Sequence, residues 1–116
     1  MNVPASVTID ARGSTLWVSL RGEMDMGNAD AIQATLRDAI EHGVDRVVID
    51  LSRLAFVDSS GVRVLLALAS RLRERRRELV LVVPDQGIVR RVLAVSGVDA
   101  VVPVVADATQ IPADAS

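Results

Sequence analysis

The sequence predicts an α/β fold in a single domain, with a mixed, mostly parallel sheet of about five strands and helices packed against it. After an opening hairpin, strand and helix patterns alternate along the chain, which is typical of parallel strands joined by right-handed crossovers. Residues 47–49 and 79–83 are apolar at every position, as expected for strands buried on both faces. Between them, apolar residues recur with the spacing of an amphipathic helix, at Val62, Leu65, Leu66, Ala69 and Leu72.

The first third of the chain predicts a hairpin, a loop and a helix. Residues 7–10 and 15–21 have strand patterns on either side of a turn at Gly13, where positive φ is permitted. Residues 22–27 break the pattern and predict a loop. Asn28 is a candidate N-cap for the next helix. That helix has one apolar stripe, formed by Ile32, Leu36, Ala39 and Ile40.

The remaining elements complete the alternation. Residues 46–51 predict the strand before the central helix, and residues 86–95 predict a later helix. The inward face of that later helix would be Ile88, Val89, Val92 and Leu93. Residues 101–105 predict a last strand, which should lie at a sheet edge because Pro103 cannot donate a ladder hydrogen bond. The tail at 107–116 has no clear period, so a turn of helix and a frayed end are both open.

Composition excludes several classes of function. The 116 residues suffice for one domain, domain 1–116, with a real core. The net charge is −2, and Phe and Trp occur once each without Tyr, so neither charge nor aromatic stacking favours direct nucleic-acid binding. Cys is absent, which excludes disulfides and thiolate metal sites. No apolar run approaches the roughly 18 residues of a membrane span, and residues 1–10 lack a signal-peptide pattern. We therefore expect a cytoplasmic protein without membrane insertion.

A candidate site lies where a strand region leads into the central helix, at Asp58-Ser59-Ser60-Gly61. Asp58 or Ser59 can accept hydrogen bonds from the free N–H groups of the first helical turn. Gly61, which has no side chain, would leave that turn open to close approach by another molecule. The serine hydroxyls would be exposed at a strand end, where α/β sheets commonly bind ligands. An alternative, equally compatible with the spacing, is that these residues only cap the helix.

The sequence offers little support for catalysis. A serine nucleophile needs a base. The only histidine, His42, is predicted to be an ordinary surface residue at the far end of the first helix, and the G-x-S-x-G pattern is absent. No glycine-rich phosphate loop occurs, and the carboxylates lack metal-ligand spacing backed by His or Cys. We therefore expect no enzyme activity, no cofactor and no metal.

Two charged features each have two interpretations. Asp25 and Asp58 both precede helices, and they form either one acidic rim or two separate solvated caps. Residues 71–77 contain five arginines. These either bind an anionic partner or form a solvated helix end, where cations complement the helix dipole. We favour the helix end because Glu74 and Glu78 dilute the positive charge.

Several motifs resemble those of STAS domains, and more narrowly those of the bacterial anti-anti-sigma factors, also called anti-sigma factor antagonists. The motifs are Gly22-Glu23-Met24-Asp25, Val48-Ile49-Asp50-Leu51, Phe56-Val57-Asp58-Ser59-Ser60-Gly61 and residues 92–98. The resemblance covers residues 7–105, nearly the whole chain. The FVDSSG motif at this distance from GEMD carries most of its specificity. The resemblance implies a STAS-like fold and a non-enzymatic regulator of transcription.

The resemblance also implies a phosphorylation switch. Ser59, with Ser60 as second choice, would be phosphorylated by an anti-sigma factor that is itself a serine kinase. The unmodified chain would bind that kinase and free a sigma factor, phosphorylation would release it, and a serine phosphatase would reset it. The implied partner-binding residues are Glu23, Met24, Asp25, Met26, Asp58, Ser60, Gly61 and Val62. Met24 and Met26 would give adaptable apolar contacts, or else pack on the domain's own helix.

The chain departs from the family pattern in two places. Arg76-Arg77-Glu78 replaces the usual glycine after the central helix, and the closing C-terminal helix is shortened after Ala108. STAS domains also occur as stand-alone subunits packed on the ATPase of a lipid-transport complex, and as nucleotide-sensing modules. Both alternatives stay open, the second with weak nucleotide binding. We expect a monomer or weak dimer.

Overall fold

The base of the fold is one five-stranded sheet. In the computed structural model, which describes residues 5–41 and 43–111, the strands are β1 (Ser6–Arg12), β2 (Thr15–Met24), β3 (Arg46–Val57), β4 (Glu78–Val82) and β5 (Val104–Val105). They lie side by side in chain order. β1 and β2 are antiparallel, whereas β2–β3, β3–β4 and β4–β5 are parallel. The predicted α/β fold with a mixed, mostly parallel sheet is therefore confirmed.

The helices of the described residues share one face of this sheet. They are α1 (Ala29–Ile40), α2 (Ser59–Glu74), α3 (Ile88–Val95) and α4 (Val98–Val101), followed by a 3-10 turn at Ala108–Gln110. Each α-helix contributes to a single apolar cluster with alternate residues of the central strands, such as Val18, Ile49 and Leu81. Within residues 5–41 and 43–111, no helix combines the length and hydropathy that crossing a membrane requires.

The opposite face carries a smaller apolar cluster. Val48, Val80 and Val82 are at most 3% exposed, and Trp17 and Val105 pack against them together with Ile111. Burial of β3 and β4 on both faces, as predicted, is therefore correct. On this opposite face, β3 and β4 are covered by side chains of β2 and β5 and by Ile111, the residue after the 3-10 turn. No helix of the described residues covers it.

β2 and β3 are longer than their sequence patterns predict. The loop predicted at residues 22–27 was wrong for its first half, because β2 continues to Met24. It does so alongside β3, which runs on to Val57 instead of ending at Leu51. Two register shifts, with Gly22 at φ 93°, let the pairing continue past the break in the apolar pattern. Met24 and Val57 are paired in the ladder, so both strands end together beneath the start of α2.

The C-terminal third needs three corrections. α3 begins two residues later than predicted, and Ile88 is 46% exposed, whereas Val89 and Leu93 are buried. Val92 is half-buried and packs against the core cluster, so of the predicted inward face only Ile88 is misplaced. Gly97, at φ 81°, ends α3 and leads directly into α4. The strand predicted at 101–105 is therefore reduced to the two residues of β5, which lies at the sheet edge as predicted.

The tail and the central helix differ in smaller ways. Residues 108–110 form a turn of helix, whose first N–H groups are capped by Asp107, since its Oδ1 accepts from the Thr109 backbone at 2.9 Å. In α2, Val64 and Leu68 are buried in addition to most of the predicted stripe, and Leu66 is only half-buried. The predictions for His42 and for residues 112–116 lie outside the described residues, and the domain limits stay a prediction.

The arginine-rich segment at the end of α2 binds the ends of neighbouring helices. Arg77 donates from Nη1 to the carbonyl of Ile40, the last residue of α1, at 3.1 Å. Arg73 donates from Nη2 to the carbonyl of Val101, the last residue of α4, at 3.2 Å. Arg71 pairs with Glu41 at 3.2 Å. The interpretation as cations at helix ends is supported, although the ends are those of α1 and α4 as well as α2.

Arg76 occupies the left-handed conformation that a glycine would prefer, with φ 58°. We expect Arg76→Gly to raise the free energy of unfolding by about 0.5 kcal/mol, because the relieved penalty of about 1–2 kcal/mol exceeds the entropic cost of glycine. Arg75→Gly is the matched control, since Arg75 has φ −96° and should only lose stability. Urea unfolding of both variants measures the difference; equal losses of stability would contradict the expectation.

Candidate functional site

Asp58 links the end of β3 to the start of α2. It is the N-cap residue of α2, and its Oδ1 accepts from the backbone N–H groups of Ser60 at 2.8 Å and Gly61 at 3.2 Å. Two of the amides that a helix start leaves free are thus satisfied by one carboxylate oxygen. Of the two cap candidates in the sequence, the structure selects Asp58.

The second oxygen of the Asp58 carboxylate holds the loop between β2 and α1. Oδ2 accepts from the backbone N–H of Met26 at 3.2 Å, and the Asp58 N–H donates to the carbonyl of Met24 at 3.1 Å. A residue at one strand end therefore determines where the loop at the neighbouring strand end lies. The sequence separation between Asp58 and Met26 is 32 residues, so no local pattern predicts this contact.

The β2–α1 loop is closed by its own polar side chains. Asp25 accepts at Oδ1 from the Gly27 N–H at 2.9 Å. Asn28 accepts at Oδ1 from the Asp25 N–H at 3.0 Å and donates from Nδ2 to the carbonyl of Glu23 at 2.8 Å. Asn28 thus occupies the N-cap position of α1, but its side chain makes no cap hydrogen bond and turns back to the strand end. Asp25 and Asp58 both act as backbone acceptors, but Asp58 also binds the loop that carries Asp25, so the two half-buried carboxylates are not separate solvated caps.

Gly61 faces the core, not a partner. A Cβ built at this position would lie 2.4 Å from Val57 Cγ2 and 3.1 Å from Met24 Cγ. The glycine is needed because the paired ends of β2 and β3 press against the first turn of α2. The expectation that Gly61 opens this turn to another molecule was therefore wrong, and the close approach is made by the domain itself.

The structure separates the predicted partner-binding residues into two groups. Met24, at 0% exposure, and Gly61 are buried, which contradicts the expectation that they contact a partner directly. Val62 is 7% exposed and belongs to the core cluster, but it also lines a groove beside Ser59. Met26 is 80% exposed. The others keep part of their surface accessible beside the exposed Ser59, namely Glu23, Asp25, Asp58 and Ser60.

Ser59 lies between two surface depressions. The α1–α2 cleft, of about 460 Å³, is lined by Asp30, Gln33, Ser59, Ser60 and Arg63 among others. The α2–α3 groove, of about 330 Å³, is lined by Ser59, Val62, Arg91, Val92, Val95 and Ser96. Its lining is almost wholly apolar, and Val95 on its rim is 84% exposed. A molecule that covers Ser59 can therefore enter both depressions.

Sequence reasoning missed three residues of this surface: Arg63, Arg91 and Val95. Arg63 follows Ser59 by one helical turn, a signal that the i, i+4 rule makes readable. Arg91 and Val95 reach the site only through the packing of α3, which no sequence spacing indicates. Within residues 5–41 and 43–111, no group of three His, Cys, Asp or Glu side chains could hold a metal ion.

Comparison with known proteins gives the family. The family model described as "Mlab, STAS domain" matches residues 7–105. The chain belongs to the STAS-domain family. BtrV of Bordetella bronchiseptica, provisionally named an anti-sigma factor antagonist, is 37% identical to this STAS domain over 98 residues, which is 84% of either chain.

Solved structures show the same fold. An anti-sigma factor antagonist from Mycobacterium paratuberculosis superposes with a TM-score of 0.84 at 23% identity, over 94% of this STAS domain and 93% of that chain. The antagonist SpoIIAA in its unphosphorylated form gives 0.74 at 27% identity, over 88% and 90%. The Bacillus SpoIIAA in its phosphorylated form gives 0.68 at 24%, over 88% and 93%. The predicted resemblance to STAS anti-sigma factor antagonists is confirmed.

The crowding at Gly61 predicts that this STAS domain does not tolerate a methyl group there. We expect Gly61→Ala to lower the free energy of unfolding by about 1–3 kcal/mol through overpacking, although alanine gains about 1 kcal/mol in helix propensity. Urea unfolding measures the loss. Combining it with Val57→Ala, which removes the clashing methyl groups, should cost less than the sum of the two single variants. Strict additivity would show that the clash is not the cause.

The two oxygens of Asp58 should be separable. In Asp58→Asn, the amide oxygen can still cap α2, but the NH2 group would face the Met26 N–H, donor against donor. We expect the stability to fall by only about 1 kcal/mol, while hydrogen exchange of the Met26 amide accelerates several-fold. Asp58→Ala is the comparison, because it removes the cap too and should cost about 1–2 kcal/mol. An unchanged Met26 exchange rate in Asp58→Asn would refute the tie between the two segments.

Proposed function

We propose that this STAS domain is an anti-sigma factor antagonist switched at Ser59. Without phosphate it binds an anti-sigma factor serine kinase and so frees a sigma factor; with phosphate on Ser59 it is released, and a serine phosphatase resets it. The observation that carries the proposal is the exposed Ser59 at the start of α2, directly after Asp58 and between two depressions. The likeness to SpoIIAA, an antagonist with a phosphorylated form, supports it.

The chain acts as the substrate in the proposed chemistry. The Ser59 hydroxyl oxygen forms a bond to the γ-phosphorus of ATP held by the kinase, the bond from that phosphorus to the β–γ bridging oxygen breaks, and ADP leaves. The hydroxyl proton passes to a base of the kinase or to water. Resetting is hydrolysis, in which water attacks the phosphorus, the Ser59 oxygen takes a proton and orthophosphate leaves. Both steps need an accessible hydroxyl.

Accessibility favours Ser59 over Ser60 as the phosphate acceptor. Ser59 is exposed, whereas Ser60 is half-buried and its backbone N–H is held by the Asp58 carboxylate. A kinase active site must surround the acceptor oxygen in line with ATP. The hydroxyl of Ser59 can be reached from the cleft and from the groove, whereas Ser60 lines the cleft alone.

The proposed docking surface is the exposed neighbourhood of Ser59. It comprises Met26, whose side chain offers adaptable apolar contact, and the accessible parts of Glu23, Asp25, Asp58 and Ser60. A phosphate adds about −1.5 to −2 charge at neutral pH. Facing one partner carboxylate at ~5 Å, each unit of charge is repelled by roughly 3 kcal/mol at an effective dielectric constant near 20, which weakens binding about a hundredfold.

Binding of Ser59 variants tests the switch. A pull-down from the protein's own cells identifies the partner, and titration calorimetry then measures its affinity. We expect Ser59→Ala to bind like the unmodified protein and to resist phosphorylation. Ser59→Asp, which adds one charge, should bind at least about tenfold more weakly. Ser70→Asp is the matched control, since Ser70 is exposed, lies about three turns further along α2 and lines neither the cleft nor the groove.

Two results would overturn the proposal. Equal affinities of Ser59→Ala and Ser59→Asp would remove the charge mechanism. Intact-mass spectrometry that finds unmodified Ser59, together with a constitutively bound transport ATPase, would instead assign the domain to a lipid-transport complex. Direct titration with GTP or ATP distinguishes the nucleotide-sensing alternative.

A further inference from the structure

Two of the amides at the start of α2 are not available to a phosphate on Ser59. Helix N-termini bind anions through their free amides, but here the Ser60 and Gly61 amides already donate to Asp58 Oδ1. The other oxygen of Asp58 is held by the Met26 N–H. The phosphate would therefore stand beside a carboxylate that has taken two of the nearest amide donors. Nearby cationic side chains would favour the charged phosphate in their place.

Arg63 is placed to supply part of it from α2 itself. It follows Ser59 by four residues, so the two Cβ atoms lie about 5–6 Å apart on one helix face. Helical side chains point toward the N-terminus, so a long side chain at position 63 covers the turn that begins with Ser59. Both residues line the α1–α2 cleft. Arg63 is exposed, and its side chain forms no ion pair or hydrogen bond with any of the described residues.

Arg91 approaches from α3 on the other side of Ser59. It lines the α2–α3 groove with Ser59, and it is exposed. Its neighbour Arg90 is engaged, donating to the Val83 carbonyl at 2.9 Å and lying 3.8 Å from Asp85. Arg91 has no such partner within residues 5–41 and 43–111. Of the two adjacent arginines, the one facing the groove is thus the one left available.

We propose that Arg63 and Arg91 together hold the phosphate of phosphorylated Ser59, as a clamp that bridges α2 and α3. The inference rests on the proposed modification of Ser59. The charged groups around Ser59 are these two cations and, against them, Asp30 in the cleft lining and the adjacent Asp58. Asp25 lies in the β2–α1 loop that Asp58 binds. Guanidinium groups suit this role because their planar N–H donors match phosphate oxygens in pairs. In this clamped state, the phosphate and the two arginines would lie where the α1–α2 cleft and the α2–α3 groove meet, at Ser59.

The test uses the full chain with phosphoserine installed at position 59 by genetic encoding, so no kinase is needed. Phosphorus NMR follows the second ionisation of the phosphoserine. Each arginine favours the dianion about threefold, so we expect Arg63→Gln and Arg91→Gln each to move the titration midpoint upward by about half a pH unit. In Arg63→Lys and Arg91→Lys, which keep the positive charge, the midpoint should move upward by less than in the glutamine variants. Arg37→Gln, an exposed arginine in the last turn of α1, is the matched control and should change nothing.

A second readout follows removal of the phosphate by a nonspecific phosphatase. The clamp should slow this dephosphorylation. Arg63→Gln and Arg91→Gln should each accelerate it about threefold, because each arginine favours the bound dianion about threefold. Midpoints and rates equal to those of the control would overturn the clamp, and so would an effect of Arg63 without any effect of Arg91. Neither result bears on whether Ser59 is modified in cells, which the mass spectrometry and binding measurements decide separately.

Discussion

The arrangement around the site depends on one carboxylate. Asp58 stands where β3 ends and α2 begins, and its two oxygens satisfy three backbone donors: two in the first turn of α2 and one in the β2–α1 loop. A neutral side chain with a single acceptor oxygen could not serve both segments. The position of the loop, the start of the helix and the outward direction of Ser59 are therefore set by the same group.

Much of the fold is predictable from the sequence because the decisive signals are local. The fully apolar runs of β3 and β4, the alternation in β2 and the apolar stripe of α2 all correspond to buried residues. Strand ends are not predictable in this way. β2 and β3 continue past their sequence patterns because they pair with each other in parallel, although they are far apart in sequence. The stabilisation from this pairing outweighs the low strand preference of a local glycine and two charged residues.

The junction between β3 and α2 was predicted at the right residues, but the directions of its side chains were not. The sequence indicates a close approach at Gly61; only the paired ends of β2 and β3 show that Met24 and Val57 make it. The arginines follow the same rule. Arg63 has a helical spacing that reveals its place, whereas Arg91 becomes a neighbour of Ser59 only when α3 packs beside α2. Spacing predicts positions along one element, and packing between elements decides which of them meet.

The helices of the described residues lie on one face of the sheet, and the tryptophan side chain lies on the other. The only tryptophan of the chain, Trp17, packs with the small apolar cluster on the face opposite the helices, and the Arg12 guanidinium lies 5.1 Å from its ring centroid. Ser59 and both depressions belong to the helix side. Intrinsic fluorescence therefore reports on the packing of the face opposite the helices. Because Ser59 lies on the helix side, loss of that packing can be followed separately from events at the proposed docking surface.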